Sequence, residues 1–303
     1  MGGRVSVTNT VQPMDRADFV KRGRAVFIGS VGNLVEWYDF YAYAAFALYF
    51  AHQFFPGDDI VVQQLNAALL FAFGFLVRPL GSIIFGHIAD RRGRRTALTL
   101  SVALMCFGSL LIAVTPTYDS IGIAAPIMLF VARLLQGLSL GGEYGASATY
   151  LSEVAHPNHR GFFSSFQYVT LIGGQLCAVL VLLLLQKVFL TEEQLMDWGW
   201  RIPFLLSAFL LIISVWIRVQ LNESPVFLKM KEEAATSKAP LSEAFGNWKN
   251  VKWVLIALFG CVMGQAVIWY TGTFYSLFFL QNILKVDGLE ANIIVAIALG
   301  IGT

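Results

Sequence analysis

The sequence predicts an all-α membrane protein, and three observations support this fold class. Of its 303 residues, 57% are apolar and only 13% are charged. In soluble domains about 25% of the residues carry charge, because the surface must be wetted. The apolar residues fall in runs of about 20, the length that crosses the hydrocarbon core as a helix. These runs lack the alternating polarity of membrane barrel strands, so helices are the expected spanning elements.

The apolar runs predict the membrane helices in chain order. The approximate spans are 26–50, 62–86, 96–114, 122–150, 162–187, 201–219 and 252–280, with a further span beginning at about 289. The residues before the first span are polar and contain Asp15 and Asp18, which is not typical of a signal peptide. We therefore interpret the first run as an uncleaved span.

The longest connection between spans, about 221–251, is charged and contains Pro225 and Pro240. It predicts a linker with a short amphipathic helix on the membrane surface. The expected organisation is a tail at 1–25, a six-helix bundle at 26–220, the linker at 221–251 and the start of a second bundle at 252–303. Because the sequence stops in an apolar run without a polar tail, we expect this second bundle to be incomplete.

Basic residues are distributed asymmetrically between the two sides of the membrane. Most of the 21 lysines and arginines lie before the first span or in the second, fourth and sixth loops, and the opposite side carries only Lys187, Arg201 and Lys285. Cytoplasmic loops are enriched in Lys and Arg, so the N-terminus is predicted to be cytoplasmic. The net charge of +2 gives no argument for nucleic-acid binding.

The loop between the second and third spans has the sequence GHIADRRGRR at 86–95. Gly86 lacks a side chain, which permits close approach of another helix, and Gly93 permits a tight turn of positive φ. Asp90 can accept hydrogen bonds from the start of the next helix or from Arg94. A basic loop alone would not require this spacing of glycines and aspartate.

This loop resembles the signature loop of the major facilitator superfamily. The segments GNLVEWYDFY at 32–41, VRPLG at 77–81, RLLQG at 133–137, GGEY at 141–144 and WGWRIPF at 198–204 resemble the metabolite:proton symporters within that superfamily. The segment SSFQYVTLIGGQ at 164–175 is very similar to the 2-oxoglutarate permeases among these symporters. That similarity runs from about 28 to 218, and residues from 222 onward resemble the broader symporter family.

The resemblance implies two six-helix bundles joined by a cytoplasmic loop, with the signature loop closing the cytoplasmic side and latching the bundles together. Asp90 and Arg94 are then gating residues. We expect Glu143 and Glu153 to be partners of the basic loop. The expected gating and structural set is Gly86, Asp90, Arg91, Gly93, Arg94, Arg95, Glu143, Glu153 and Arg160. Gly137, Gly141 and Gly145 predict a small-residue packing surface on the fourth helix.

Charged residues inside the spans give an independent argument, because each costs roughly 2.5–3.5 kcal/mol at the centre of a membrane helix. Glu36 and Asp39 share one face of the first span, with Tyr43 a turn further along. Arg133 lies near the middle of the fourth span and Arg78 in the cytoplasmic half of the second. Together they predict a charge-balanced polar cavity, although ion pairs that only lock helices together would place the same residues there.

The hypothesis that follows is coupled binding of a proton and an anion. Burial disfavours an ionised carboxyl group and a neighbouring arginine favours it, so Asp39 or Glu36 can exchange a proton. Protonation would free Arg133 for a substrate carboxylate, and Arg78 would hold the other end of a dicarboxylate. The expected substrate-binding residues are Arg133, Arg78, Tyr43, Gln136 and Gln175. For Gln175, an interhelical hydrogen bond is an equally good explanation.

These residues and the resemblance favour a proton symporter of a small organic anion, a dicarboxylate such as 2-oxoglutarate, acting as a monomer in a bacterial inner membrane. The alternatives are a carrier of zwitterions or other metabolites (proline, betaine, shikimate or citrate) and a non-transporting membrane fragment or sensor. No nucleotide-binding loop, nucleophile–base pair or metal-ligand cluster is recognisable, so neither an enzyme nor a cofactor or metal site is expected. The three cysteines lie in apolar runs and indicate no disulfide framework.

Overall fold

The computed structural model describes residues 16–57, 59–220, 222–233, 242 and 245–302, and within these residues the regular structure is helical throughout. The predicted tail before residue 16 and the middle of the predicted linker lie outside the described residues. The α-helices are α1 Arg16–Phe54, α2 Ile60–Leu76, α3 Arg78–Arg92, α4 Arg94–Val114, α5 Tyr118–Ile121, α6 Ala124–Val154, α7 Arg160–Leu184, α8 Glu192–Asp197, α9 Ile202–Val219, α10 Pro225–Glu232, α11 Trp248–Leu255, α12 Met263–Tyr270, α13 Ser276–Phe278 and α14 Gly288–Gly302.

In the described part of the chain, six helical segments are long and apolar enough to cross a membrane. They are Ile60–Arg92, Arg94–Val114, Ala124–Val154, Arg160–Phe189, Gly199–Val219 and Trp248–Thr273. Each overlaps one of the predicted spans, and the all-helical membrane fold class is confirmed. The first helix, α1, begins at Arg16, well before the position where its span is predicted to begin.

Helix α1 lies at the centre of the fold and packs against α2, α6, α7 and α9. Phe46, Phe50 and Phe54 are fully buried and recur every four residues, which places them on one face of the helix. The Phe50 and Phe54 rings lie 5.4 and 5.5 Å from the ring of Trp200, which precedes α9. This aromatic contact fixes one end of α1 against α9.

The second span is divided into α2 and α3 by a turn at Val77. Pro79 causes this break, since proline has no N–H to donate and restricts the residue before it. The break places Arg78 at the first position of α3, where its backbone lies against Gly141 of α6 and its guanidinium group lies on rings of α1 and α2. Arg78 therefore lies within the membrane-length segment and not at its end.

Glycines allow α2 and α3 to pack directly on the backbone of α6. A Cβ atom added to Gly137 would overlap the backbone of Gly74, and one added to Gly141 would overlap the backbone of Arg78. The predicted packing surface is confirmed at these two positions. At Gly145 and Gly86 a Cβ atom meets no atom of the described residues within 4 Å, so the close approach of another helix at these two residues stays a prediction.

The linker contains α10 where a short amphipathic helix is predicted. Ser224 caps this helix by accepting a hydrogen bond from the Phe227 N–H at 3.3 Å, and the Phe227 side chain is buried. Beyond the linker, α11 to α13 form one long helical segment interrupted by π-helical turns. The last helix, α14, packs against α7.

Candidate functional site

Asp39 lies fully buried at the centre of the bundle and is held by two side chains from neighbouring helices. The Ser109 hydroxyl of α4 donates to Asp39 Oδ1, and Gln136 Nε2 of α6 donates to Asp39 Oδ2 at 2.6 Å. Gln136 Oε1 in turn accepts a hydrogen bond from Arg133 Nη1 at 2.5 Å. The direct Asp39–Arg133 pair implied by the sequence hypothesis is therefore replaced by a chain that passes through one amide.

The orientation of the Gln136 amide is fixed by the chemistry of its two neighbours. A guanidinium group only donates hydrogen bonds and an ionised carboxylate only accepts them. The carbonyl of Gln136 must therefore face Arg133, and its NH₂ group must face Asp39. Gln136 lies among the predicted substrate-binding residues, but its two polar atoms are already used within the protein.

Arg133 is fully buried and surrounded by aromatic rings. Its guanidinium carbon lies 4.2 Å from the ring centroid of Tyr43, 4.5 Å from that of Phe40 and 5.1 Å from that of Phe71. Rings at these distances stabilise a desolvated cation through their quadrupoles. The Tyr43 hydroxyl donates to the backbone oxygen of Ala67 at 3.2 Å, and this hydrogen bond holds the ring against the Arg133 guanidinium group. Nε and Nη2 of Arg133 have no hydrogen-bond partner among the described residues.

Arg78 lines a cavity of about 340 Å³ between the bundle and α12. Its guanidinium carbon lies 4.0 Å from the Phe75 centroid, 4.3 Å from that of Phe40 and 5.3 Å from that of Trp37. The Phe40 ring thus contacts the guanidinium groups of both Arg78 and Arg133. Nε and Nη2 of Arg78 donate no hydrogen bond to the described residues. The structure brings the two predicted arginines to one aromatic residue.

A second cluster lies around Arg218, a fully buried residue near the end of α9. In the sequence, Arg218 is one of the basic residues beside the sixth loop and is not predicted to lie at a site. Arg218 forms a bidentate ion pair with Glu143 of α6: Nη1 donates to Oε2 at 2.7 Å, and Nη2 donates to Oε1. The Arg218 Nη1 atom also donates to the Leu98 backbone oxygen at 2.8 Å. The prediction that Glu143 pairs with the basic loop is therefore wrong.

Glu36 is the third charged residue of this cluster, but it is not hydrogen-bonded to Arg218 or Glu143. It is fully buried, and its Oε1 lies 3.9 Å from Arg218 Nη1. Neither of its carboxyl oxygens has a hydrogen-bond partner among the described residues. The two acids on α1 that the sequence places together therefore belong to different clusters, since Asp39 joins Gln136 and Glu36 joins Arg218.

Two further glutamines, both buried on α7, differ in the hydrogen bonds that their side-chain oxygens accept. Gln175 is buried, and its Oε1 has no partner among the described residues, so the structure leaves its predicted role open. Gln167 Oε1 accepts a hydrogen bond from the Ser147 hydroxyl at 2.9 Å, and its backbone oxygen accepts one from Asn33 at 3.3 Å. Gln167 therefore connects α6 and α7 with α1.

The loop at 86–95 has the local geometry that its sequence predicts. Gly93 has a φ of 102°, in the region that favours glycine. Arg94 Nη1 lies 3.0 Å from Asp90 Oδ1, and Arg94 Nη2 lies 3.3 Å from Glu153 Oε1. The predicted pairings of Asp90 and Glu153 with this loop are confirmed. Arg95 Nη2 donates to the Val219 backbone oxygen, whereas Arg91 and Arg160 are exposed at the ends of their helices.

Glu223 in the linker is hydrogen-bonded to the end of this loop, a contact that the sequence does not predict. Its Oε1 accepts the Arg94 N–H at 3.0 Å and its Oε2 accepts the Arg95 N–H at 3.3 Å. These are the first two residues of α4, where free N–H groups and the helix dipole favour a carboxylate. The linker is thereby fastened to the predicted gating loop.

No group of three or more His, Cys, Asp and Glu residues suited to a metal ion occurs within the described ranges. The charged groups are instead arranged as acid–base pairs and as cations among aromatic rings. Such an arrangement can bind anions and protons.

A family model described as sugar (and other) transporter matches residues 25–303. The chain belongs to this transporter family.

Within the family, the chain is 47% identical over 277 residues to the alpha-ketoglutarate permease of Escherichia coli K12, covering 91% of this chain and 62% of the permease. It is 39% identical over 273 residues to the inner membrane metabolite transport protein YhjE of the same strain, covering 89% and 61%. It is 33% identical over 294 residues to a putative proline/betaine transporter of Staphylococcus aureus MSSA476, covering 95% and 61%. The chain therefore spans less than two thirds of the length of these transporters.

Solved structures of the major facilitator superfamily confirm the fold of this transporter family member. The proton:xylose symporter XylE bound to 6-bromo-6-deoxy-D-glucose matches with a TM-score of 0.71 at 17% identity, over 92% of this chain and 67% of that chain. The inward open conformation of XylE from E. coli matches with a TM-score of 0.62 at 19% identity, over 92% and 66%. The predicted major facilitator fold is confirmed, and the chain is a multi-pass membrane protein.

We expect Glu223→Gln to destabilise this transporter family member by about 0.5–2 kcal/mol, the usual effect of losing a helix cap. The amide would leave one of the first N–H groups of α4 without an acceptor and would remove the charge that favours the helix dipole. The measurement is thermal unfolding in detergent. Glu232→Gln, on the exposed face of α10, is the matched control and should behave as the natural chain does. Equal melting temperatures for the two variants would contradict the capping role.

Proposed function

We propose that the protein is a secondary active transporter of a bacterial inner membrane that carries a small organic anion together with a proton. The observation that carries this proposal is the chain from Asp39 through Gln136 to Arg133. It joins a buried acid to a buried cation whose Nε and Nη2 atoms have no partner among the described residues. An intramembrane acid and base held in this way are typical of ion and substrate pathways.

The chain through Gln136 gives a physical route for coupling. While Asp39 is ionised, it holds the Gln136 NH₂ group, and the Gln136 carbonyl holds Arg133. A proton on Asp39 removes one of its acceptor sites, so the amide loses its anchor and Arg133 is released to bind a carboxylate. Proton and anion then favour each other's binding, as the linkage of two ligands requires.

Arg78 supplies the second half of the proposed anion site. It lines the 340 Å³ cavity and has donors without a partner in the described residues, so it can hold one carboxylate while Arg133 holds another. Bidentate pairing of arginine with a carboxylate adds directional specificity. Two arginines on one ring favour a dicarboxylate, and the relative at 47% identity is an alpha-ketoglutarate permease. We therefore propose 2-oxoglutarate or a similar dicarboxylate as the substrate.

The proposed orientation follows from the distribution of basic residues, with the N-terminus and the loop at 86–95 in the cytoplasm. The contacts of Arg94 with Asp90 and Glu153, and the cap by Glu223, support the proposal that this loop acts as a cytoplasmic gate. The active form proposed is a monomer in the lipid bilayer.

The experiment is proton-driven uptake into proteoliposomes that contain the full natural protein. We expect Asp39→Asn to abolish accumulation of labelled 2-oxoglutarate while substrate exchange continues, because the amide cannot take up a proton. We expect Arg133→Ala to abolish both. Asp119 is exposed on the short helix α5, and Asp119→Asn is the matched control, expected to retain full accumulation. Proton-coupled uptake that survives both changes would refute the proposed site.

The proline/betaine transporter at 33% identity favours one second candidate, a carrier of zwitterions. The same proteoliposomes separate the two. Competition by glycine betaine without competition by unlabelled dicarboxylates would select the zwitterion carrier, and the reverse pattern would select the anion carrier.

A further inference from the structure

The cluster of Glu36, Glu143 and Arg218 contains two carboxyl groups and one guanidinium group, and it is not used by the mechanism above. All three side chains are at most 1% exposed. The Glu143 carboxylate accepts hydrogen bonds from both terminal nitrogens of Arg218 and from the Ser101 hydroxyl, the last at 3.1 Å. Glu36 accepts no hydrogen bond from the described residues and is 3.9 Å from the nearest nitrogen of Arg218.

Among the described residues of the packed helices, no other charged side chain compensates Glu36. On α6, Arg133 donates to Gln136 among aromatic rings, and Glu153 pairs with Arg94. Helix α2 contains no charged residue, α7 has only Arg160 at its first position, and α4 has only Arg94 and Arg95 at its start. The remaining charged neighbour on α1 itself is Asp39, which is another acid. The positive charge available to Glu36 is therefore that of Arg218, and Glu143 already neutralises it.

A buried carboxylate without a hydrogen bond or a counter-charge is strongly unfavourable. A neutral carboxyl group at the same place has no such cost, and the geometry around Glu36 fits the neutral form. We propose that Glu36 is a second proton-binding site of this protein and that Arg218 moves its ion pair from Glu143 to Glu36 when that proton leaves.

The step balances in charge. The proton goes to water, Glu36 becomes a carboxylate, and Arg218 pairs with it. Because Arg218 Nη1 is already 3.9 Å from Glu36 Oε1, a small shift of α9 against α1 makes the new pair. The cluster connects α1, α6 and α9, so the position of the proton biases how these helices pack. Glu36 and Asp39 are one turn apart, which gives the bundle two proton sites on one helical face.

This inference rests on the proposed proton symport, and the test separates the two. The full natural protein is reconstituted, and the number of protons carried per substrate is measured for the natural chain and for Glu36→Gln, with Glu193→Gln on exposed α8 as the control. We expect Glu36→Gln to fold normally and to carry one proton fewer per substrate. We also expect it to lose a carboxylic-acid C=O band from the infrared spectrum, and the control to change neither quantity.

Each other outcome has a defined meaning. Either an unchanged proton ratio or an unchanged infrared band would overturn the second proton site. So would failure of Glu36→Gln to fold, because a neutral amide can replace a neutral acid but cannot replace an ionised one. If Glu36→Gln loses a proton while Asp39→Asn retains full coupling, the inference stands and Asp39 is not the coupling site.

Discussion

Replacement of Arg218 by leucine is expected to unfold most of the protein at temperatures at which the natural chain is folded. Arg218 neutralises Glu143 with two hydrogen bonds and also donates to the Leu98 backbone oxygen. Removing one partner of a buried ion pair costs about 3–5 kcal/mol, because the other charge stays buried and unpaired. Globular proteins are stable by only about 5–15 kcal/mol in total. The measurement is the fraction of monodisperse protein left after heating in detergent.

The double variant Arg218→Leu with Glu143→Leu tests the cause. Apolar residues of similar volume often replace a complete buried ion pair without loss of stability, so the double variant should recover most of the folded protein. Lys229→Leu is the matched control, because Lys229 is exposed at the surface of α10 and its removal should change stability by no more than about 0.5 kcal/mol. A double variant no more stable than Arg218→Leu would show that the ion pair is not the cause.

Much of the fold follows directly from the sequence, because long runs of apolar residues predict membrane helices. The predicted spans and the helices agree closely from residue 60 onward. The turn at Gly93 and the pairs of Arg94 with Asp90 and Glu153 also follow from their spacing and residue types. These are contacts within a loop or between adjacent helix ends, where few alternative partners exist.

The interior clusters could not be predicted, because their members meet across large separations in sequence. Arg218 lies 75 residues from Glu143, and in the sequence it looks like any basic residue at the cytoplasmic end of a span. The available signal is its position inside the last turn of an apolar helix, where solvation is poor. Gln136 shows the same limit, since the sequence marks a polar residue at mid-membrane but cannot show that both of its polar atoms are used by the protein.

Helix α6 packs on α2 through the backbone contact of Gly137 with Gly74, which involves no charged group. We expect Gly137→Leu to prevent folding, or to destabilise the protein by at least about 3 kcal/mol, the upper range for overpacked interiors. Even a Cβ atom at this position would overlap the backbone of Gly74, which cannot rotate away as a side chain can. The helices would have to separate, and the separation would also disturb Arg133, whose Nη2 lies beside Gly74 in the same contact.

Gly145→Leu is the matched control for this prediction, since it makes the same chemical change two turns further along α6. Gly145 is exposed, and a Cβ atom there meets nothing within 4 Å in the described part of the chain. Leucine also has a higher helix propensity than glycine, by up to about 1 kcal/mol. Gly145→Leu should therefore melt at or above the temperature of the natural chain, measured by thermal unfolding in detergent, and Gly137→Leu should melt far below it. Equal melting temperatures would mean that α2 and α6 do not pack through Gly137, and the position of Arg133 would then need a different explanation.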